Sequence, residues 1–167
     1  MKLFKKVLLA LIAALFAFGT IACSGAPKDI NIDPNDTVQK LINGCQFEEK
    51  PAIIEDSKFA IETLFAVDLT KVAKDDSGNP IGCVSVCSST PETVLIIKAT
   101  DAEAAKSISE GAIKARTESY IHDYSNYGPE QVKKVETCIN KVVGQYVFLI
   151  ISSDNTAAEK LLDELIK

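Results

Sequence analysis

Five cysteines, one histidine and 23 acidic residues are the side chains of this 167-residue chain best suited to chemistry, and their spacing narrows which chemistries are open. Cys23 stands apart, because it closes an apolar run; Cys45, Cys83, Cys87 and Cys138 follow as an even set of four. An even set in an exported protein invites disulfides. Cys83 and Cys87 lie four residues apart on one predicted strand, about 13 Å, beyond the roughly 7 Å Cα limit for a bridge. Cys45 is therefore the candidate disulfide partner for Cys83 or Cys87, and free half-buried thiols are the equal alternative. Zinc is disfavoured: Cys83-x-x-x-Cys87 lies on a strand and no histidine is near in sequence, so no metal site is expected.

Catalysis finds little to work with. His122 falls seven residues after Ala115, near the end of a predicted helical stripe, where a lone histidine is more often a helix-end residue than a base. No nucleophile elbow, dinucleotide fingerprint or phosphate-binding loop occurs. Asp75-Asp76-Ser77-Gly78-Asn79 lacks the alternating carboxylates and distal glutamate of a calcium loop and reads as a solvated turn. Glu48, Glu49, Glu55 and Asp56 read as exposed charge. The chain is thus read as a non-enzyme without a cofactor, the alternative being an envelope hydrolase or other enzyme with an unrecognised site near His122.

Recognition has a better foothold. Three of the four tyrosines fall within Tyr120-Ile121-His122-Asp123-Tyr124-Ser125-Asn126-Tyr127-Gly128-Pro129. Tyrosine joins a large ring to a hydrogen-bonding hydroxyl at low entropy cost, and the window straddles a helix end and a Gly-Pro break. Tyr120, His122, Asp123, Tyr124 and Tyr127 are the candidate binding residues. The competing expectation is that the rings merely cover the end of a sheet.

The first 23 residues supply an address. Lys2, Lys5 and Lys6 form a basic start, Val7 to Phe18 is unbroken apolar chain, and Gly19-Thr20-Ile21-Ala22 leads to Cys23. The run is shorter than the roughly 20 residues that span a bilayer comfortably. Thr20-Ile21-Ala22-Cys23 resembles the lipobox of bacterial lipoproteins, with Thr20 where a larger aliphatic residue is preferred. The resemblance implies cleavage before Cys23, a lipid of the palmitate kind on Cys23, and the extracytoplasmic face of the cell membrane. Residues 1–22 are then a signal peptide, 23–35 a tether and 36–167 one domain. Cleavage removes three lysines and no acid, leaving 15 basic against 23 acidic residues, so the formal charge moves from −5 to −8. Such a surface opposes nucleic acid and anionic headgroups alike, leaving the lipid to hold the membrane.

Periodicity then gives the elements. Asp36 and Gln39 read as a capping box for a short helix through Val38, Leu41, Ile42 and Cys45; Ser57 starts a second that stops before Asp68. Ile81–Ser88 alternates as a strand. Glu92–Ala99 and Tyr146–Ile151 are apolar on both faces and so read as interior strands, and Ile139–Val143 joins the latter through Gly144-Gln145. Asp101 caps a long helix whose sheet-facing stripe is Ala104, Ala105, Ile108, Ala112 and Ala115; Asp154 caps a last one. The expected fold is α+β: a four-stranded antiparallel sheet of hairpin, helix, hairpin and helix, ordered 81–88, 92–99, 145–152, 138–143. Both long helices share one face, and two short N-terminal helices cover the other.

This order resembles a family of small lipoproteins of Gram-positive type carrying a domain of unknown function, the DUF4358-like family. The resemblance rests on Leu64-Phe65-Ala66-Val67-Asp68, on Thr93–Ala99 followed by Asp101, on Tyr127-Gly128-Pro129-Glu130, and on Val143–Val147 leading to Ser152-Ser153-Asp154. It implies no activity or catalytic residue, and Cys45, Cys83, Cys87 and Cys138 are not part of its pattern. The expected function is a binding or interaction module of the cell envelope, its partner a protein, polymer or small ligand.

Overall fold

The computed structural model describes residues 30–167; the expected signal peptide, Cys23 and most of the expected tether lie outside them. Two strands organise the fold. β3 (Thr93–Lys98) and β5 (Tyr146–Ile151) pair antiparallel with Leu95 opposite Leu149 and Ile96 opposite Phe148. Because side chains alternate between faces, two wholly apolar neighbours create two apolar faces that both need cover. On one, Val84, Leu95, Ile97, Val147, Leu149 and Ile151 are buried under residues 60–72 and the helical stretch after β3. On the other, Val94, Ile96, Phe148 and Ile150 are buried under Val38, Leu41, Ala158 and Leu162. Each such aliphatic side chain contributes roughly 1.5–3 kcal/mol on burial.

The sheet has five strands, not four, in the order β1-β2-β3-β5-β4. The four expected strands keep the expected order, β2 being Gly82–Val86 and β4 Ile139–Val143. The addition is β1 (Ala52–Ile53), two exposed residues antiparallel to Val86 and Ser85, too short to carry a period. The β4–β5 hairpin closes through Gly144, whose φ of +58° suits glycine.

The helices depart from expectation in the faces they cover: the second N-terminal helix joins residues 102–124 on one face through Ala60 and Ile61, instead of covering the other. α1 (Pro34–Gly44) and the last helix, Asn155–Leu165, lie together on one face, while residues 102–124 cover the other, so the two long helices are on opposite sides. The reason is area: a helix of eleven residues alone does not cover Val94, Ile96, Phe148, Ile150, Tyr146 and Ile139. α1 is capped by Asp33, whose carboxylate accepts from the Asn35 and Asp36 amides, with Pro34 in the first turn; Asp36 is not the cap. α2 (Ser57–Phe59) runs into a π-turn, Ala60–Leu64, and Ala66 then takes a φ of +52°.

A second π-turn resets the long helix. α3 (Ala102–Ile108), capped by Asp101, becomes a π-turn at Ser109–Ile113 and continues as α4 (Lys114–Tyr124). The wider turn advances the inward stripe by about one residue. Ala105, Ile108 and Ile113 are buried as the stripe requires; after the turn Arg116, Tyr120 and Tyr124 are half-buried, and Ala115 is turned out to solvent. Asn140 on β4 holds the turn in place, accepting from Ser109 Oγ at 2.7 Å and donating to the Ser109 carbonyl at 3.2 Å.

Candidate functional site

One end of the sheet collects the polar groups that the rest of the core excludes. There β2 ends and β3 begins, and α5 (Pro129–Glu136) crosses above, started by Pro129 after Gly128. A Cβ on Gly128 would stand 3.0 Å from Tyr124 Cδ1 and 3.3 Å from Gln131 Cγ, so glycine lets the ring and the amide close over the backbone. α5 points Gln131 and Lys134 inward, three residues apart on one face beside buried Val135.

Lys134 meets Glu92 there. The Glu92 side chain is fully buried, and its Oε1 accepts from Lys134 Nζ at 2.9 Å and Ser153 Oγ at 2.7 Å. Its Oε2 accepts from the Glu48 amide at 2.8 Å and Thr90 Oγ1 at 3.2 Å. Lys134, with 12% of its side chain exposed, also pairs with Glu48 Oε1 at 2.7 Å, and Gln131 Nε2 donates to Glu48 Oε2 at 3.0 Å. A buried charge survives only when paired and hydrogen-bonded, and these four donors fill the Glu92 lone pairs. Hydrogen bonds from Lys134 and then Gln131 hold the Glu48 carboxyl below its usual range. Burial pulls the Lys134 ammonium down, but the bonds and charges of Glu48 and Glu92 outweigh it and raise its pKa. The network is structural: it ties the 46–49 segment, the 87–92 turn and α5 to the end of β5.

The tyrosine window borders this network. Tyr124 donates to the Ser89 carbonyl at 3.3 Å and packs on Tyr127 with ring centroids 5.4 Å apart; burial first, then its neighbours Tyr127 and Tyr120, raises its pKa. Tyr127 is 72% exposed. His122, with 91% of its side chain exposed, stands in solvent with Nδ1 3.5 Å from Asp123 Oδ1. It belongs to no converging set of carboxylates, and the reset of helical phase is why: the stripe that would have carried it inward is rotated away. Among the described residues no group of three or more histidine, cysteine or acidic side chains is placed to hold a metal ion, and no helix is long and apolar enough to cross a membrane.

The four described cysteines are free. Cys87 donates to the Glu49 carbonyl at 2.9 Å. Burial, with Asp154 second for Cys45 and Asp33 second for Cys83, pushes both of these thiols up to about 11. The expected bridge from Cys45 to Cys83 or Cys87 is therefore not formed, and all of these thiols stand free. Glu92, Lys134, Gln131 and Ser153 were not singled out from sequence. The available signal was Glu92 itself, a carboxylate opening an otherwise apolar interior strand, which requires a buried cation somewhere in the chain.

Fold and site together define an α+β domain on a five-stranded antiparallel sheet, with a saturated ion pair at one end and tyrosines beside it. Residues 68–152, a little over half of the chain, match a family described as a domain of unknown function (DUF4358), and the chain belongs to that family. Glu92, Lys134, Arg116 and the tyrosine window lie inside the matched span; Glu48, Phe65 and Ser153 lie outside it. No curated protein and no solved structure matches the chain.

Proposed function

We propose that the protein is a lipoprotein anchored through Cys23 to the extracytoplasmic face of the cell membrane, and that its folded part is a non-catalytic binding module of the envelope. The observation that carries this reading is the opposition of two ends. The Ile32 carbonyl, just before α1, accepts from the Tyr146 hydroxyl at 3.2 Å, beside the end of β3 where Lys98 pairs with Tyr146. The Tyr124 hydroxyl is bonded to Ser89, before the start of β3. Six strand residues, about 20 Å, separate the two ends. A tether at one end presents Tyr120, Tyr124 and Tyr127, with His122 and Asp123, at the other, away from the bilayer.

The polar groups favour binding over catalysis. Glu92 and Lys134, the best-buried acid and base, are consumed by each other and by Ser153, Thr90 and the Glu48 amide. The exposed end instead offers ring faces and hydroxyls, suited to recognition. A photo-reactive residue at position 127, compared with one at position 31 within the tether, tests the reading in intact cells. A discrete adduct from 127, missing from 31, is expected; identical adducts from both positions would contradict it.

A further inference from the structure

Arg116 is the only arginine of the chain, and the irregular backbone of the fold converges on it. The π-turn at Ala60–Leu64 delivers Phe65, followed by Ala66 at positive φ; the π-turn at Ser109–Ile113 turns Arg116 inward to meet it. The guanidinium carbon lies 4.5 Å from the Tyr120 ring centroid and 5.8 Å from that of Phe65. Its Nε is buried and has no acceptor among the described residues. Among the half-buried cations of the described residues, Lys134 and Lys141 are ion-paired, Lys71 donates to Ser107, and Lys98 rests over Tyr146. Among the described residues Arg116 alone keeps a buried side-chain donor unfilled.

Rings above and beside a guanidinium fix its plane and leave its edge donors for an acceptor lying in that plane. We propose that Arg116 is the anion-recognising group of the tyrosine-lined end, and that it takes a carboxylate of a partner peptide. This deepens the binding-module reading and rests on it. A carboxylate fits the planar fork bidentately and is neutralised by one arginine. A phosphate dianion would be left half neutralised by the single arginine. From Arg116 to Tyr124 the helix runs eight residues, about 12 Å, longer than a small acid and suited to an extended peptide whose side chains meet Tyr120, Tyr124 and Tyr127.

A single arginine gives a single Nε–H signal, so the test is a nitrogen-15 NMR titration of the full chain in detergent micelles. The probes are a blocked tripeptide with one glutamate, its glutamine counterpart, acetate and inorganic phosphate. The glutamate peptide is expected to shift the signal saturably and to bind at least about tenfold tighter than the glutamine peptide or acetate. Arg116→Lys, which keeps charge but loses the stacked fork, is expected to retain the native circular dichroism spectrum and to lose about tenfold in affinity by tyrosine emission. An unmoved signal, or unchanged affinity in folded Arg116→Lys, overturns the proposal. Phosphate or acetate binding as tightly as the glutamate peptide overturns the assignment of a peptide carboxylate. None of these failures alters the cross-linking result at position 127, so the two readings fail separately.

Discussion

Lys134 Nζ lies 2.9 Å from Glu92 Oε1 across 42 residues of sequence, and the pair closes one end of the sheet. Removing one partner strands the other as an uncompensated buried charge. Lys134→Ala is expected to cost about 3–5 kcal/mol, and Glu92→Gln a comparable amount, because the amide keeps one acceptor oxygen and turns its NH2 on the two donors that bonded the other. Urea unfolding measures both; a Lys134→Ala loss below about 1 kcal/mol would mean that water replaces the pair.

The same network sets a pH window. Glu48 has a lowered folded pKa, so its contribution is present above its unfolded value of about 4.3 and is lost as pH falls through the folded value. Lys134 has a raised folded pKa, so its contribution is present below about 10.4 and is lost as pH rises through the folded value. Raised Cys45 and Cys83 act in the same alkaline direction. The melting temperature is expected to be flat from about pH 5 to about pH 8 and to fall on both sides. A melting temperature that climbs steadily from pH 8 to 11 would contradict these assignments.

Asn140 and Ser109 fix the helical phase. Asn140→Leu removes both bonds to Ser109 and is expected to cost about 1–3 kcal/mol, since the Ser109 hydroxyl is buried. Because the π-turn orients Arg116, the variant should also move the Arg116 Nε–H signal. An unchanged signal at reduced stability would show that the phase is held by packing alone.

Much of this architecture could be read from sequence, and the failures have physical causes. The doubly apolar β3 and β5 fixed the strand order, and Asp101 and Asp154 proved to be caps, each accepting from the amide three residues on. The long helix was placed correctly, but its stripe was read as a regular 3.6-residue repeat. A π-turn leaves no mark in composition, so a regular repeat puts Ala115 inward and passes over Arg116. β1 was missed because two residues have no period. Nothing in the local pattern tells which face a helix takes, so the last helix, expected beside the other long helix, instead joins α1 over the second apolar face. The Glu92–Lys134 pair was invisible for another reason: long-range polar pairing depends on geometry that no local spacing encodes.

The thiols give a chemical check on burial. Cys45, Cys83, Cys87 and Cys138 all have raised pKa values, burial being the first cause in each. Native protein with thiols reduced is expected to alkylate slowly at pH 8 and to take up four labels at once in urea, because the thiolate is the reactive form. A mapped Cys45–Cys83 disulfide in protein from cells would contradict the free state of these thiols.

The anchor is the claim on which the rest depends, and the mass of the mature N-terminus tests it most directly. Protein extracted from the membranes of cells fed a labelled fatty acid should begin at Cys23, carry the label there, and appear in the membrane fraction. Cys23→Ala should abolish both label and processing at this site. Wild-type protein that is soluble, unlabelled and cleaved elsewhere would contradict the lipoprotein reading.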